Sequence, residues 1–191
     1  MKALQDRKLA IMITIIVAVL ATSLGVYKTS AAYTKKIEAG FYNGVYLKDE
    51  GYTQPGINHH LDNCAAEALN LATVLGKYPG LSGKADSVLA ARRELLDAGS
   101  IAAKQASYLT MASCVYDLTS AAKNVDLSEN DIKALTGYSS IFSGALTAIS
   151  GSVYNDTVTE YLDGRSPFMG TFSGIIPMKE PAYFELPDIQ N

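Results

Sequence analysis

Residues 9–27 read LAIMITIIVAVLATSLGVY, a run without a single charged side chain, and the role given to this run decides how the rest of the chain is read. As a helix it reaches roughly 28 Å, close to the hydrocarbon thickness of a bilayer. Leu9, Ile11, Met12, Ile13, Ile15, Ile16, Val17, Val19 and Leu20 surround that helix on all sides, so it has no polar face to turn toward water. The run predicts a transmembrane helix over 9–27 behind a short polar N-terminus, 1–8. A cleaved signal peptide is the competing reading. Lys2, Arg7 and Lys8 form a basic n-region, and Ala21-Thr22-Ser23 or Ser30-Ala31-Ala32 offers small residues at a peptidase spacing. However, the run exceeds the usual apolar stretch of about 7–15 residues, and helical patterning continues past Lys28. The uncleaved anchor is therefore adopted. Lys28, Lys35 and Lys36 after the run balance the basic residues before it, so charge leaves the orientation open. Ala21 and Gly25 form a small-xxx-small pair that would let two such helices approach closely.

Outward from the run, the composition changes. The chain has 191 residues, 48% hydrophobic and 18% charged, with a net charge of -3, and every acidic residue except Asp6 lies beyond the anchor. The length fits one core rather than a multidomain enzyme. No basic tract interleaved with aromatics exists to hold a phosphate backbone, which disfavours nucleic acid as a partner. Two cysteines exclude a disulfide-rich scaffold and a four-cysteine zinc site.

Strong turn signals before Gly164 are sparse: Gly51 to Gly56, Tyr78 to Gly83, and Asn124 to Ser128. Between them lie helix-length segments. The first, about Thr29 to Glu50, carries Ile37, Phe41 and Val45 at helical spacing and prolongs the anchor. The second, about Ile57 to Lys77, places Ile57, Leu61, Cys64, Ala68, Leu71 and Leu75 on one face. The third, Gly83 to Lys123, aligns Ala91, Leu95, Ala98, Ala102, Leu109, Ala112 and Tyr116, an Ala-rich stripe suited to close helix packing. The fourth starts at the Ser128-x-x-Asp131 signal and lines Ile132, Leu135, Phe142, Leu146, Ile149, Val153 and Tyr161 along one face to Asp163. No long period-two alternation demands a sheet. The expected fold is all-α: a transmembrane helix continuing into an elongated antiparallel bundle of about four helices over 28–165, with an irregular tail, 166–191, packed on it. A continuous third helix would hold Cys114 roughly 27 Å from Cys64, beyond disulfide reach, so both are expected to be reduced. Unbridged thiols favour a cytoplasmic bundle.

Chemistry-bearing patterns are thin. His59 and His60 are adjacent, and neighbouring helical residues point about 100° apart, so the pair is a poor chelate. Asp126, Glu129 and Asp131 lack the Asp-x-Asp-x-Asp-Gly framework of a calcium loop and instead suit the positive end of the fourth helix. The chain has no Gly-x-Ser-x-Gly elbow, phosphate-binding Gly-rich loop or Glu-x-x-His repeat. Arg92-Arg93-Glu94 fits a solvated helix face. No catalytic residue, cofactor or metal is expected.

The C-terminal region is more distinctive. Val153-Tyr154-Asn155-Asp156-Thr157-Val158-Thr159-Glu160-Tyr161, then Pro167, a Gly/Phe-rich stretch containing Phe172, and Tyr183-Phe184-Glu185 resemble the LemA family of bacterial membrane-anchored proteins. That family's pattern is similar to Tyr-Asn-x-x-Val-x-x-Tyr/Phe-Asn, a Pro, a Gly-Phe-like segment and a terminal Tyr-Phe. The specific match covers about the last 40 residues. Gly151 and Leu162 stand where the family has Arg and Asn, and its early Leu-Ile-Pro-Asn-Leu-Val segment is absent, as in a divergent member. The resemblance implies a single-pass protein with a short outside N-terminus, a cytoplasmic helical bundle and no established enzymatic activity.

Tyr154, Val158 and Tyr161 fall at i, i+4 and i+7, so they share a helical face able to receive the returning tail. Asn155 beside them is placed to bond tail backbone groups that have no helical partner. Tyr154, Asn155, Val158, Tyr161, Pro167, Phe172, Tyr183 and Phe184 are accordingly the structural or interaction candidates. The expected function is a non-enzymatic interaction or assembly module at the bacterial cell membrane. Its expected partners are the bilayer through 9–27, a second copy of the chain, and another protein. The alternatives are an extracytoplasmic sensor or ligand-binding bundle, and a secreted helical protein.

Overall fold

The structure is a computed structural model that describes residues 7–164 and 179–186. Its elements in chain order are α1 (Arg7–Asn43), β1 (Val45–Leu47), β2 (Tyr52–Gln54), α2 (Ile57–Leu75), α3 (Ser82–Asp97), α4 (Ile101–Ala122), α5 (Glu129–Ser150) and α6 (Tyr154–Asp163). The fold is all-α, with helical-bundle packing and, among the described residues, one hairpin of two three-residue strands. The chain divides into two compact units, Met1–Glu38 with Val158–Pro181, and Ala39–Thr157 with Ala182–Asn191.

In the first unit, α1 is long and apolar enough to cross a membrane, with a mean hydropathy of 2.6 in its most apolar window, none of which is buried. Its few polar side chains cause no conflict with that character. Thr14, Thr22 and Ser23 donate their hydroxyls to the carbonyls of Ala10, Ala18 and Val19, four residues earlier, at 2.8–2.9 Å. Further along the helix, Ser30 and Thr34 are buried, and both hydroxyls donate to the Lys179 carbonyl, Thr34 at 2.7 Å. One turn on, Glu38 lies 3.6 Å from the Lys179 ammonium. The Tyr33 and Tyr161 rings stack with centroids 6.4 Å apart.

The second unit holds the core. The helix expected to continue to Glu50 ends instead at Asn43, because Gly44 adopts φ +89°, a conformation costly for any residue with a Cβ. A Cβ there would also collide with the Gln54 carbonyl. The following Val45-Tyr46-Leu47 and Tyr52-Thr53-Gln54 segments are β-branched and aromatic, and they pair antiparallel in the register Val45↔Gln54, Tyr46↔Thr53, Leu47↔Tyr52. Helix α2 buries the six residues expected of it, Ile57, Leu61, Cys64, Ala68, Leu71 and Leu75.

Two long helices of the sequence reading are each broken. The expected Gly83–Lys123 helix turns at Ala98-Gly99-Ser100, where Ala98 is extended (ψ 119°) and the Ser100 hydroxyl caps α4 by accepting from the Ala103 amide at 3.2 Å. The turn resets the helical phase. In α4 the buried residues are Ile101, Lys104, Tyr108, Met111, Val115, Leu118 and Ala122, while Ala102, Leu109 and Tyr116 of the expected stripe are exposed. The expected Ser128–Asp163 helix is interrupted at Gly151-Ser152-Val153. There the Gln54 side chain replaces the lost helical partners: its Nε2 donates to the Gly151 carbonyl at 3.1 Å, and its Oε1 accepts from the Val153 amide at 3.0 Å. Helices α2, α3, α4 and α5 thus run up and down, the 22-residue α4 and α5 each spanning about 33 Å rather than 60 Å. Packing is close for α2 with α3, α3 with α4, and α2 with α5.

The α3–α4 turn also bears on the two cysteines. Cys64 and Cys114 are both free, yet α4 folds back so that Tyr108 faces Cys64, which places Cys114 only about two helical turns away rather than about 27 Å.

Candidate functional site

Helix α6 begins with Tyr154, fully buried, and Asn155, which continues its N-terminal turn. The two residues hold the tail by its backbone. The Tyr154 hydroxyl donates to the Ala182 carbonyl at 2.7 Å. Asn155 Nδ2 donates to the Phe184 carbonyl at 2.8 Å, while Asn155 Oδ1 accepts from the Phe184 amide at 3.0 Å. An extended segment without a helical or sheet partner thereby has its polar groups satisfied by side chains. The Gln105 amide of α4 adds a bond to the Glu185 carbonyl.

These bonds seat Phe184, 1% exposed, in an aromatic cluster. Its ring centroid lies 5.4 Å from Phe41 and 6.5 Å from Tyr108, and Phe41 lies edge-on to Tyr154 at 5.6 Å. Edge-to-face geometry at such distances contributes about 0.5–1.5 kcal/mol per pair beyond area burial. Among the candidates, Tyr154, Asn155 and Phe184 come together directly. Val158 is fully buried, Tyr161 stacks on Tyr33, and Tyr183 is half-buried beside Phe184. Pro167 and Phe172 lie outside the described residues. Gln54, Gln105 and Tyr108 were not singled out from the sequence, because their partners are distant in the chain and no local periodicity announces them.

A second feature lies along the seam between two helices of the bundle. Helices α4 and α5 do not close on each other along their length, leaving a cavity of about 290 Å³ lined by residues including Ala112, Val115, Tyr138, Phe142, Ser143 and Leu146. Tyr138 also walls a cavity of about 240 Å³ between α2 and α5, beside Glu67 and Asn70. The Tyr138 hydroxyl is buried with no hydrogen-bond partner among the described residues, and the Tyr108 hydroxyl is buried against the Cys64 thiol. Burial pushes the Cys64 thiol up to about 11, with a further push from the Glu67 carboxylate, and burial raises both tyrosines far above the ordinary phenol range. All three groups are held in their neutral forms.

The polar surface groups are arranged for structure. Tyr78, in the α2–α3 turn, donates its hydroxyl to Asp131 Oδ2 at 2.6 Å and accepts from the Ser128 amide at 3.1 Å. Ser128 also donates to Asp131 Oδ2 at 2.7 Å and accepts from its amide, so the turn between α4 and α5 is tied to the opposite hairpin. The bond from Tyr78, then that from Ser128, holds the Asp131 carboxyl below its usual range. His59 and His60 pack ring edge to face at 5.6 Å, and burial, together with His59, lowers the His60 pKa. Among the described residues, no group of three His, Cys, Asp or Glu side chains is placed to hold a metal ion. No family model, curated protein or solved structure matches the chain.

Proposed function

We propose that the chain is a single-pass, membrane-anchored helical bundle of the LemA type, a non-enzymatic interaction or assembly module at the bacterial cell membrane with its bundle on the cytoplasmic side. The observation that carries this reading is the 9–25 stretch of α1: an uncharged, solvent-exposed helix whose only hydroxyls are bonded back to its own carbonyls. Support for the family comes from the use of the Tyr154-Asn155 pair and Phe184, residues that carry the resemblance, in a single clasp. The bilayer is the first partner, through 9–27, and the Ala21/Gly25 pair suits a second copy of the chain. A protein partner would complete the module.

Membrane fractionation with alkaline extraction, combined with N-terminal sequencing of the mature chain, tests the anchor. Retention in the extracted pellet with an intact N-terminus is expected. A soluble chain beginning at Leu24 or Tyr33 would identify a signal sequence and a secreted bundle instead.

A further inference from the structure

From the stretch of α1 just beyond the apolar run we infer a second kind of membrane contact: Lys28, Lys35 and Lys36 form a cationic collar that binds anionic phospholipid headgroups in the leaflet the chain leaves at residue 27. The inference rests on the anchor reading of 9–27 and adds the class of lipid that the anchor selects.

Charge is unevenly divided along the chain. From Arg7 to Ile37 the charged side chains are Arg7, Lys8, Lys28, Lys35 and Lys36, with no carboxylate among them, whereas residues 38–191 carry 18 acidic against 10 basic side chains. A surface charged only for solubility intersperses the two signs and would not separate them in this way. An anionic membrane repels the acidic remainder of the chain, and the lysines beside the run are the groups placed to offset that repulsion.

The structure keeps these ammonium groups available. Lys28, Lys35 and Lys36 are exposed, and none of the three forms an ion pair among the described residues. Glu38, the first carboxylate after them, is held by Lys179 instead, at 3.6 Å. Lys28 and Lys35 are two turns apart on one face of an uninterrupted helix, turned away from the Ser30 and Thr34 hydroxyls that receive the Lys179 carbonyl. The face that docks Lys179 and the cationic face are thus separate.

Their depth suits headgroups. With the run ending at Tyr27, Lys28 stands at the hydrocarbon edge, inside a polar layer about 5–7 Å thick in each leaflet. Lys35 and Lys36 lie about 10–12 Å further along the helix, just above that layer and within a Debye length of about 8 Å from it. Tyr27, 46% exposed, sets an amphipathic ring at the same level as Lys28. An ammonium near an anionic surface strengthens the attraction about fivefold per lysine, so a phosphodiester headgroup with a net negative charge is favoured over a zwitterionic one.

The test uses the full chain reconstituted in phosphatidylcholine vesicles. Flotation of these neutral vesicles reads the anchor alone: a chain left behind would sink the anchor, and this inference with it. In the floated vesicles, trace spin-labelled phosphatidylglycerol and phosphatidylcholine of equal chain length report which lipid is immobilised against the protein. Phosphatidylglycerol should associate about fivefold more strongly, and 1 M salt should remove most of that preference. The triple variant Lys28→Gln, Lys35→Gln, Lys36→Gln should lose most of it too, while Arg7→Gln with Lys8→Gln, at the other end of the run, should retain most of it. Equal association of the two lipids with the unaltered chain, a preference that survives 1 M salt, or a preference kept by the triple variant and lost from the Arg7/Lys8 variant would each overturn the inference while leaving the anchor in place.

Discussion

Asn155 and Phe184 are joined as two strands of a sheet would be, except that one strand is a side chain. The carboxamide of Asn155 donates to the Phe184 carbonyl and accepts from the Phe184 amide, 2.8 and 3.0 Å away. No other residue type of this size offers a donor and an acceptor side by side with that spacing.

Replacing Asn155 should therefore expose how much the clasp contributes. Asn155→Asp removes the donor and sets a carboxylate oxygen against the Phe184 carbonyl. It should cost more than Asn155→Ala, which is expected to destabilise by about 1–3 kcal/mol by leaving two part-buried backbone groups unpaired. Urea unfolding of the full chain in detergent measures both.

Phe184 tests the aromatic seat. Phe184→Ala removes a ring that is 1% exposed and in contact with Phe41 and Tyr108, for an expected loss of about 3–5 kcal/mol. Tyr116→Ala, at a site 71% exposed, should stay within about 0.5 kcal/mol. Similar midpoints for the two variants would show that the tail is not part of the core.

The Tyr78–Ser128–Asp131 network sets an acid limb. The folded-state pKa of Asp131 lies below its unfolded value, so its contribution is fully present above the unfolded value and is lost as pH falls through the folded one. Tyr78→Phe removes the largest cause of that depression. The stability difference between Tyr78→Phe and the unaltered chain should shrink as the pH is lowered below about 4. A difference constant down to pH 2 would refute the linkage.

Gly44 should resist substitution. Gly44→Ala faces both φ +89° and the Gln54 carbonyl, so it should destabilise by more than the roughly 1 kcal/mol of an αL penalty alone. Gly51→Ala, with φ +70° but open space around it, should show only that penalty. Comparison of the two melting curves separates strain from collision.

The two thiols should differ in reactivity. With the Cys64 thiol buried and raised to about 11, a disulfide reagent at pH 8 should modify Cys114, which is half-buried, well before Cys64 in the folded chain, and both equally in denaturant. Cys114 is consequently the residue to label when the side of the membrane is determined.

Much of this architecture is local information. The 9–27 run identifies itself by uncharged length, α2 by the spacing of Ile57, Leu61, Cys64, Ala68, Leu71 and Leu75, and the start of α5 by Ser128 and Asp131, because a helix's buried face and its cap lie within a few residues of one another. Even the clasp left a trace, since Tyr154 and Asn155 are adjacent. The breaks did not. Ala98-Gly99-Ser100 and Gly151-Ser152-Val153 lie within sequences that helical periodicity runs through, and each is settled by a nonlocal gain. At the first, chain reversal brings Tyr108 over Cys64. At the second, Gln54, nearly a hundred residues away, satisfies the exposed backbone. The sequence by itself determined most of the helical segments, though not the Val45–Gln54 hairpin, and which run suits a membrane. Only the tertiary structure decided where the long helices fold back, what receives Phe184, and that the α4–α5 seam remains open. Those outcomes depend on packing and hydrogen bonding between groups far apart in the chain, for which no local period exists.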